Sequence, residues 1–242
     1  MRVAVLTDIH ANLPALEAVL AAIDEAGLEK RWGLGDVVGY GAQPDECAAL
    51  TQDRCELSLV GNHDLAVTGE IDTDVFSASA AAAVEWTRQN TEERTMKFLK
   101  SLKPQATDQE VGLYHASPRD PVWEYVLAVD QARECMEEME QRVSLIGHSH
   151  VALHFSDAGE GGAGSQAGDG EKVDLKEGRW LLNPGSVGQP RDGDPRAAWL
   201  ELDTDEWQAT YHRVEYDIGG AADAIRAAGL PDLLADRLSV GQ

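Results

Sequence analysis

The 242-residue chain carries 43 acidic against 20 basic side chains, a formal net charge of −23. A surface of that sign repels phosphate backbones and anionic lipid, which argues against long nucleic acid and against a membrane surface as partners. No apolar run approaches the ~20 residues that cross a bilayer, and Met1-Arg2-Val3-Ala4-Val5-Leu6 meets Asp8 and His10 where a secretory signal would stay apolar, so a soluble, cytoplasmic protein is expected.

Residues 2–6 form a short β-branched run ending in Thr7-Asp8, and Leu13-Pro14-Ala15-Leu16 opens a helical pattern to about Ala26-Gly27, with proline in the first turn and glycine near the end. The rhythm recurs in a run near 31–34, a helix from Pro44 to about Leu50, and a run over 56–60 that ends in Gly61-Asn62-His63-Asp64. Such alternation predicts a largely parallel sheet with helices on its faces. Residues 72–102 read as two helical segments broken near Asn90-Thr91 and ended by Pro104. Strands are expected again at about 110–115 and 143–146, around a charged helix over 130–141 whose Glu134 to Glu140 run is a solvated face.

Beyond His150 the segments 151–156, 179–182, 196–203 and 206–215 read as successive strands joined by turns, which predicts an added antiparallel layer. Residues 157–171 hold six glycines and almost no apolar side chain, so they read as a flexible insertion, a variable hairpin rather than a lid. Residues 218–238 close the chain as a small helical cap. The expectation is an α/β fold of mixed α+β character, parallel-rich in its first half and antiparallel in its second, forming one domain over 1–242. Cys47, Cys55 and Cys135 are odd in number and lack a C-x-x-C pair, so they read as reduced thiols.

Five of the seven histidines (His10, His63, His115, His148, His150) follow predicted strands, beside Asp or Gly. Asp8-Ile9-His10, Gly35-Asp36, Gly61-Asn62-His63-Asp64, Tyr114-His115 and Gly147-His148-Ser149-His150 therefore fall at carboxyl ends of separate strands, where open α/β sheets bind ligands. In an extended segment residues i and i+2 share a side, so Asp8 with His10 and His148 with His150 each present two donors together. Asp36 offers a carboxylate able to bridge two cations, and Asn62 is a neutral oxygen donor that limits the charge of the site. Nitrogen and oxygen donors without cysteine suit manganese, iron, zinc, nickel or cobalt better than a soft metal or an all-oxygen calcium site, and two divalent transition metal ions are expected, manganese foremost. Coincidental polar loops are the bland alternative, and five ordered motifs outweigh it. His154 and His212 lie outside the motifs and read as ordinary strand residues. Gly33 to Gly39 lacks the glycine spacing of a dinucleotide-binding turn, and neither G-K-[ST] nor G-x-S-x-G occurs.

The order D-x-H, G-D, G-N-H-D, H, G-H-x-H resembles the calcineurin-like metallophosphoesterase superfamily over residues 8–150, with weaker similarity beyond. GDVVGYG (35–41), HASPRDP (115–121) and NPGSVGQPRD (183–192) look like its small prokaryotic phosphodiesterase-like branch, and Ala228-Gly229-Leu230-Pro231 is similar to that branch's C-terminal helix. The resemblance implies a four-layered αββα sandwich. It implies a first metal held by Asp8, His10, Asp36 and His150, and a second held by Asp36, Asn62, His115 and His148, with Asp36 bridging. Two cations about 3.5–4 Å apart would acidify a bridging water to hydroxide and clamp phosphate oxygens. His63 is the family's histidine near the leaving group, and Asp64 is placed to orient its ring.

The chain departs from the family's G-D-x-V-D-R-G pattern, because Gly39 and Tyr40 stand where aspartate and the phosphate-contacting arginine are usual. That leaves phosphate contacts to Arg119 and Arg191, for which ion pairing with Asp120 or Asp192 is the bland alternative. Tyr40, Trp123 and Tyr125 read either as walls of a leaving-group pocket or as packing. The function implied is metal-dependent hydrolysis of phosphomonoesters or small phosphodiesters, with a small phosphoester as partner. The alternatives are a nucleotide hydrolase acting on dinucleoside polyphosphates or cyclic nucleotides, and a catalytically silent metal-bearing scaffold.

Overall fold

The computed structural model describes residues 1–158 and 162–242. Its first half alternates as expected: β1 (Arg2–Leu6), α1 (Leu13–Glu25), β2 (Lys30–Gly33), α2 (Pro44–Arg54), β3 (Leu57–Ser58), α3 (Asn62–Thr68), then α4 (Ala78–Asn90) and α5 (Glu93–Ser101). There follow β4 (Gln105–Asp108), β5 (Val111–Tyr114), α6 (Val129–Glu138), β6 (Val143–Leu145), β7 (Ala152–Ser156), β8 (Ala163–Gln166), β9 (Lys172–Asp174), β10 (Trp180–Pro184), β11 (Ala197–Asp203) and β12 (Gln208–Val214). Helices α7 (Ile218–Ala227) and α8 (Asp232–Asp236) and a 3₁₀ turn over Arg237–Ser239 close the chain. Among the described residues no helix is long and apolar enough to cross a membrane.

The strands form two mixed six-stranded sheets, ordered β3-β2-β1-β11-β12-β9 and β4-β5-β6-β10-β7-β8. Period-two patterning explains how they stack. Val3 and Val5 of β1 turn inward to meet Leu113, Val143, Leu145 and Leu182 of the other sheet, whereas Ala4 and Leu6 turn outward onto Leu16, Val19 and Ile23 of α1. On the far side Cys135 and Met136 of α6 cover Ile146, Phe155 and Leu181. The layers are thus helix, sheet, sheet, helix.

Parallel pairing joins β1, β2 and β3, and joins β5, β6 and β10, whereas β7, β8, β9, β11 and β12 pair antiparallel. The antiparallel strands do not form a layer of their own. They widen both sheets, because β11 docks on β1 and β7 docks on β10. Residues 72–77 are not helical, since Ser77 caps α4 by accepting from the Ala80 amide. The glycine-rich segment contributes β8, which pairs with β7 as a hairpin; residues 159–161 lie outside the described part. Cys47, Cys55 and Cys135 are free thiols.

Candidate metal centre

The loops after β1, β2, β3, β5 and β6 meet at one rim of the two sheets, and they bring seven side chains together. The ligand atoms of Asp8, His10, Asp36 and His150 lie within 4.8 Å of one another, as do those of Asp36, His115 and His148. Asp36 belongs to both sets: its Oδ2 is 3.5 Å from His10 Nε2 and 3.7 Å from His115 Nε2. Asn62 joins the second set, its Oδ1 being 3.1 Å from His115 Nε2. All seven residues are buried.

The backbone is bent to make this possible. Asp8, His10, Asp36, His148 and His150 all have positive φ, between 50° and 65°, a region that costs L-residues free energy and persists where the surroundings over-determine it. Gly35 has φ +99°, and a Cβ there would come within 2.7 Å of the Gly61 amide and 2.9 Å of His115 Nδ1, so only glycine lets the three motifs close on each other.

Hydrogen bonds from the protein then aim the donor atoms. His10, His115 and His150 direct Nδ1 at the carbonyls of Val38 (3.2 Å), Leu34 (2.9 Å) and Gln189 (2.7 Å), which assigns the proton to Nδ1 and leaves Nε2 a lone pair. Asp8 Oδ2 accepts from the Thr7 hydroxyl and the His148 amide, and Asp36 Oδ1 accepts from the His63 amide. The second oxygen of each carboxylate, Asp8 Oδ1 and Asp36 Oδ2, and also His148 Nε2, have no hydrogen-bond partner among the described residues. Lone pair faces lone pair: His10 and His150 present Nε2 atoms 3.0 Å apart. Burial pushes Asp36 up from the usual carboxylate range and Asp8 up to about 7, the latter against the pull of His115. It also drives His10, His63 and His150 down and brings His148 to about 2, so these imidazoles are neutral. Buried acceptors converging without a donor fit cations.

From this centre opens a cleft of about 580 Å³ lined by Tyr40, His63, Phe76, Trp123, Tyr125 and Arg191, among others. His63 is buried, with Nδ1 unpartnered among the described residues and its ring 4.8 Å from that of His10. Gly39, at φ +94°, makes room for it: a Cβ there would sit 2.6 Å from His63 Nδ1. Arg191 donates from Nη2 to Tyr40 Oη (3.2 Å) and Gln189 Oε1 (2.9 Å). Tyr40, Trp123 and Tyr125 are cleft walls, and Tyr125 stacks on His148 at 4.1 Å.

Two expectations fail. Asp64 does not hydrogen-bond the His63 ring: its carboxylate accepts from the amides of Val37, Val38 and Gly61, tying the Gly-Asp loop to the start of α3. Arg119 points away from the centre and is held by Glu124 at 3.1 Å and by Glu134 of α6. His154 pairs with Glu171, and His212 stacks on Trp199, as strand residues do. A supporting tier had no role assigned from sequence. Ser186 donates to the Asp8 carbonyl, Asn183 donates to the Gly147 carbonyl, and the buried Gln189 serves both His150 and Arg191. Its only sequence signal was the Asn183 to Asp192 segment itself.

Residues 1–205 match the calcineurin-like phosphoesterase superfamily domain. The chain belongs to that superfamily. It is 39% identical to an uncharacterized protein of Methanocaldococcus jannaschii over 99% of this chain and 98% of that one. It is similar to the crystal structure of a metallophosphoesterase from Sphaerobacter thermophilus, with a TM-score of 0.91 and 39% identity over 100% of this chain and 99% of the other. A hypothetical protein of Pyrococcus horikoshii shares the fold, with a TM-score of 0.82 and 21% identity over 100% and 98%. The superfamily is metal-dependent and contains phosphoester hydrolases, and the clustered aspartates and histidines form a site able to hold metal.

Proposed function

We propose that the protein is a dinuclear metal-dependent phosphoesterase that hydrolyses phosphomonoesters or small phosphodiesters. One observation carries the reading: ligand atoms of Asp8, His10, Asp36, His115, His148 and His150 converge in a buried site, and no neighbouring donor among the described residues reaches Asp8 Oδ1, Asp36 Oδ2 or His148 Nε2. Asp8, His10, Asp36 and His150 would hold one ion, and Asp36, Asn62, His115 and His148 the second. Such ions, when bound, acidify a water and neutralise charge on phosphoryl oxygens. The mixed imidazole and carboxylate donors suit manganese, iron, zinc, nickel or cobalt, and manganese is the ion proposed first.

Arg191 binds a non-bridging phosphate oxygen from the cleft wall, its guanidinium kept in place by Tyr40 and Gln189. His63 gives a proton to the departing oxygen, the negative charge gathering there favouring its protonated form. Asp64 acts one step back, as the clamp that fixes both loops. The substrate is a small phosphoester, for the acidic surface opposes long nucleic acid. Free thiols support a reducing, cytoplasmic setting. A nucleotide substrate is a second reading, favoured by the aromatic walls, where Phe76 and Trp123 meet edge-to-face at 5.4 Å.

The test is a panel of phosphomonoesters, diesters and nucleotides run on protein stripped by chelation and reloaded with single metals. Turnover should vanish on stripping and return more fully with manganese, cobalt or nickel than with magnesium, which prefers oxygen donors. Full activity in a protein shown to hold no metal would refute the reading, and no turnover with any metal would point to a scaffold.

A further inference from the structure

The side chains of the cleft follow one another in a row. Arg191 lies over the Tyr40 ring at 5.6 Å, Tyr40 meets His63 at 4.3 Å, His63 meets Phe76 at 4.9 Å, and Phe76 meets Trp123 at 5.4 Å. All five line the cleft. With Arg191 on the phosphoryl group and His63 at the departing oxygen, the next surface along the row, Phe76 and then Trp123, is the one the leaving group meets. That surface is a built one. The planes of Phe76 and Trp123 stand at 77°, a corner in which a flat ring lies face-on to one and edge-on to the other, the arrangements aromatic pairs favour. Asp120 accepts from the Trp123 amide at 3.1 Å, and the next residue, Glu124, turns to Ser117 and, at 3.1 Å, to Arg119, so Trp123 and Tyr125 on either side of it face the cleft together. Among the described residues five large hydrophobic side chains are exposed, and three of them, Val75, Tyr125 and Leu233, stand round this cleft. Exposed apolar groups gathered at one opening mark a ligand groove.

We infer that Phe76 and Trp123 form the leaving-group subsite and select a phosphoester whose leaving group is an aromatic alcohol, its flat, uncharged ring a bond or two from the ester oxygen. This rests on the phosphoesterase reading and narrows its substrate. Closeness sets the length of the leaving group. The Phe76 ring adjoins that of His63, so the first atoms beyond the departing oxygen already meet an aromatic wall. A nucleoside would put its hydroxylated sugar there and its base farther out, which leaves the sugar's polar groups against Phe76.

The experiment compares ethyl, cyclohexylmethyl and benzyl phosphates and thymidine monophosphate on manganese-loaded parent, Phe76→Leu, Trp123→Leu, Trp123→Phe and the control Leu127→Ala. All four are esters of primary alcohols, so their leaving oxygens are close in basicity and the kcat/KM ratios read the subsite. The parent should favour the benzyl ester about tenfold over ethyl and about threefold over cyclohexylmethyl, the scale of a buried ring and of an aromatic pair. Phe76→Leu and Trp123→Leu should erase most of the preference for benzyl over cyclohexylmethyl, and Trp123→Phe, which keeps a flat ring, should retain part of it. Leu127→Ala, exposed and outside the cleft lining, should match the parent. The inference is overturned by a parent that treats benzyl and cyclohexylmethyl alike, by one that prefers the thymidine ester, or by a preference that survives both leucine variants. So does a loss in those variants shared equally by all the esters with a lowered Tm overturn it, which would make Phe76 and Trp123 packing alone. Calorimetric titration with ethylphosphonate, cyclohexylmethylphosphonate and benzylphosphonate reads the subsite without turnover. If no ester is hydrolysed but the parent binds benzylphosphonate most tightly, by the same ratios, and Trp123→Leu does not, the subsite stands and the hydrolase reading fails. Equal binding of the three phosphonates by the parent, or binding of none, removes the subsite.

Discussion

Two loops carry the tripeptide Pro-Arg-Asp, at 118–120 and 190–192, and they end in opposite places. In the first, the Asp120 carboxylate caps the amides of Val122 and Trp123, and Arg119 swings out to Glu124 and Glu134. In the second, Asp192 is fully buried against Arg213 and accepts from the Ala152 amide, and Arg191 turns into the cleft with neutral partners. Sequence neighbours are alike, so the difference lies in which carboxylates remain unclaimed. Around Arg119 two acids are available. Around Arg191 the nearest in sequence is already occupied by another arginine, which leaves the guanidinium free for an anion from outside. On the function proposed above, Arg191 can serve as a binding residue because the fold satisfies its acidic neighbour, Asp192, with Arg213.

The largest test of that contrast removes the centre toward which Arg191 is turned. Asp36→Asn takes away the carboxylate shared by both ligand sets, so the variant should lose metal and several orders of magnitude in rate. His10→Ala should keep one ion. Metal content by elemental analysis checks both, and an Asp36→Asn protein as metal-rich as the parent would contradict bridging. Next in size is His63→Ala. It removes a proton donor and no metal ligand, so both metals should stay, alkyl esters should lose about 10²–10⁴-fold in rate, and nitrophenyl esters, whose leaving anion scarcely needs a proton, should lose far less. Equal losses on both ester classes would give His63 a structural role.

The contrast also shows what could be read from sequence. The candidate ligand set was legible because D-x-H and G-H-x-H place donors just beyond apolar strands; the extended backbone expected there does not form, since Asp8, His10, His148 and His150 take positive φ, yet their donor atoms still converge. The alternation of β1 to β3 with helices was legible because each element carries its own period. Long-range partners had no such signature. Glu134 is fifteen residues from Arg119 and comes from α6, the Asp64 carboxylate is used by amides in two separate loops, and Arg237 reaches the cleft from the far end of the chain. The docking of β11 on β1, across nearly the whole sequence, likewise decided that the late strands would widen both sheets.

Arg191→Lys against Arg119→Lys tests the contrast directly and with a smaller effect. Lysine keeps the charge and loses the planar fork, so Arg191→Lys should lower kcat/KM about tenfold with Tm unchanged. Arg119 is an exposed ion pair, and Arg119→Lys should leave kinetics as they are. A comparable loss in both would break the distinction between the two loops.

The smallest effect belongs to Tyr40, which stands where the family's pattern has arginine and which we assign as a positioning residue for Arg191. Its backbone is at φ +53°, its ring lies 4.5 Å from that of His10 and 4.3 Å from that of His63, and burial holds its hydroxyl neutral by raising its pKa. Tyr40→Phe keeps the ring, the packing and the backbone strain, and deletes only the oxygen that accepts from Arg191. Gln189 still holds the same nitrogen, so the guanidinium loses one of two tethers, worth about 0.5–1.5 kcal/mol and hence roughly two- to tenfold in kcat/KM. The loss should appear mainly in KM, because the arginine must be re-ordered when the phosphate arrives. A double-mutant cycle separates this from a direct effect on the metal side: in an Arg191→Lys background Tyr40→Phe should cost little more, since the contact it deletes is already broken. If the two losses multiply independently, Tyr40 acts through His10 or His63 instead, and the cleft's arginine is held by Gln189 alone.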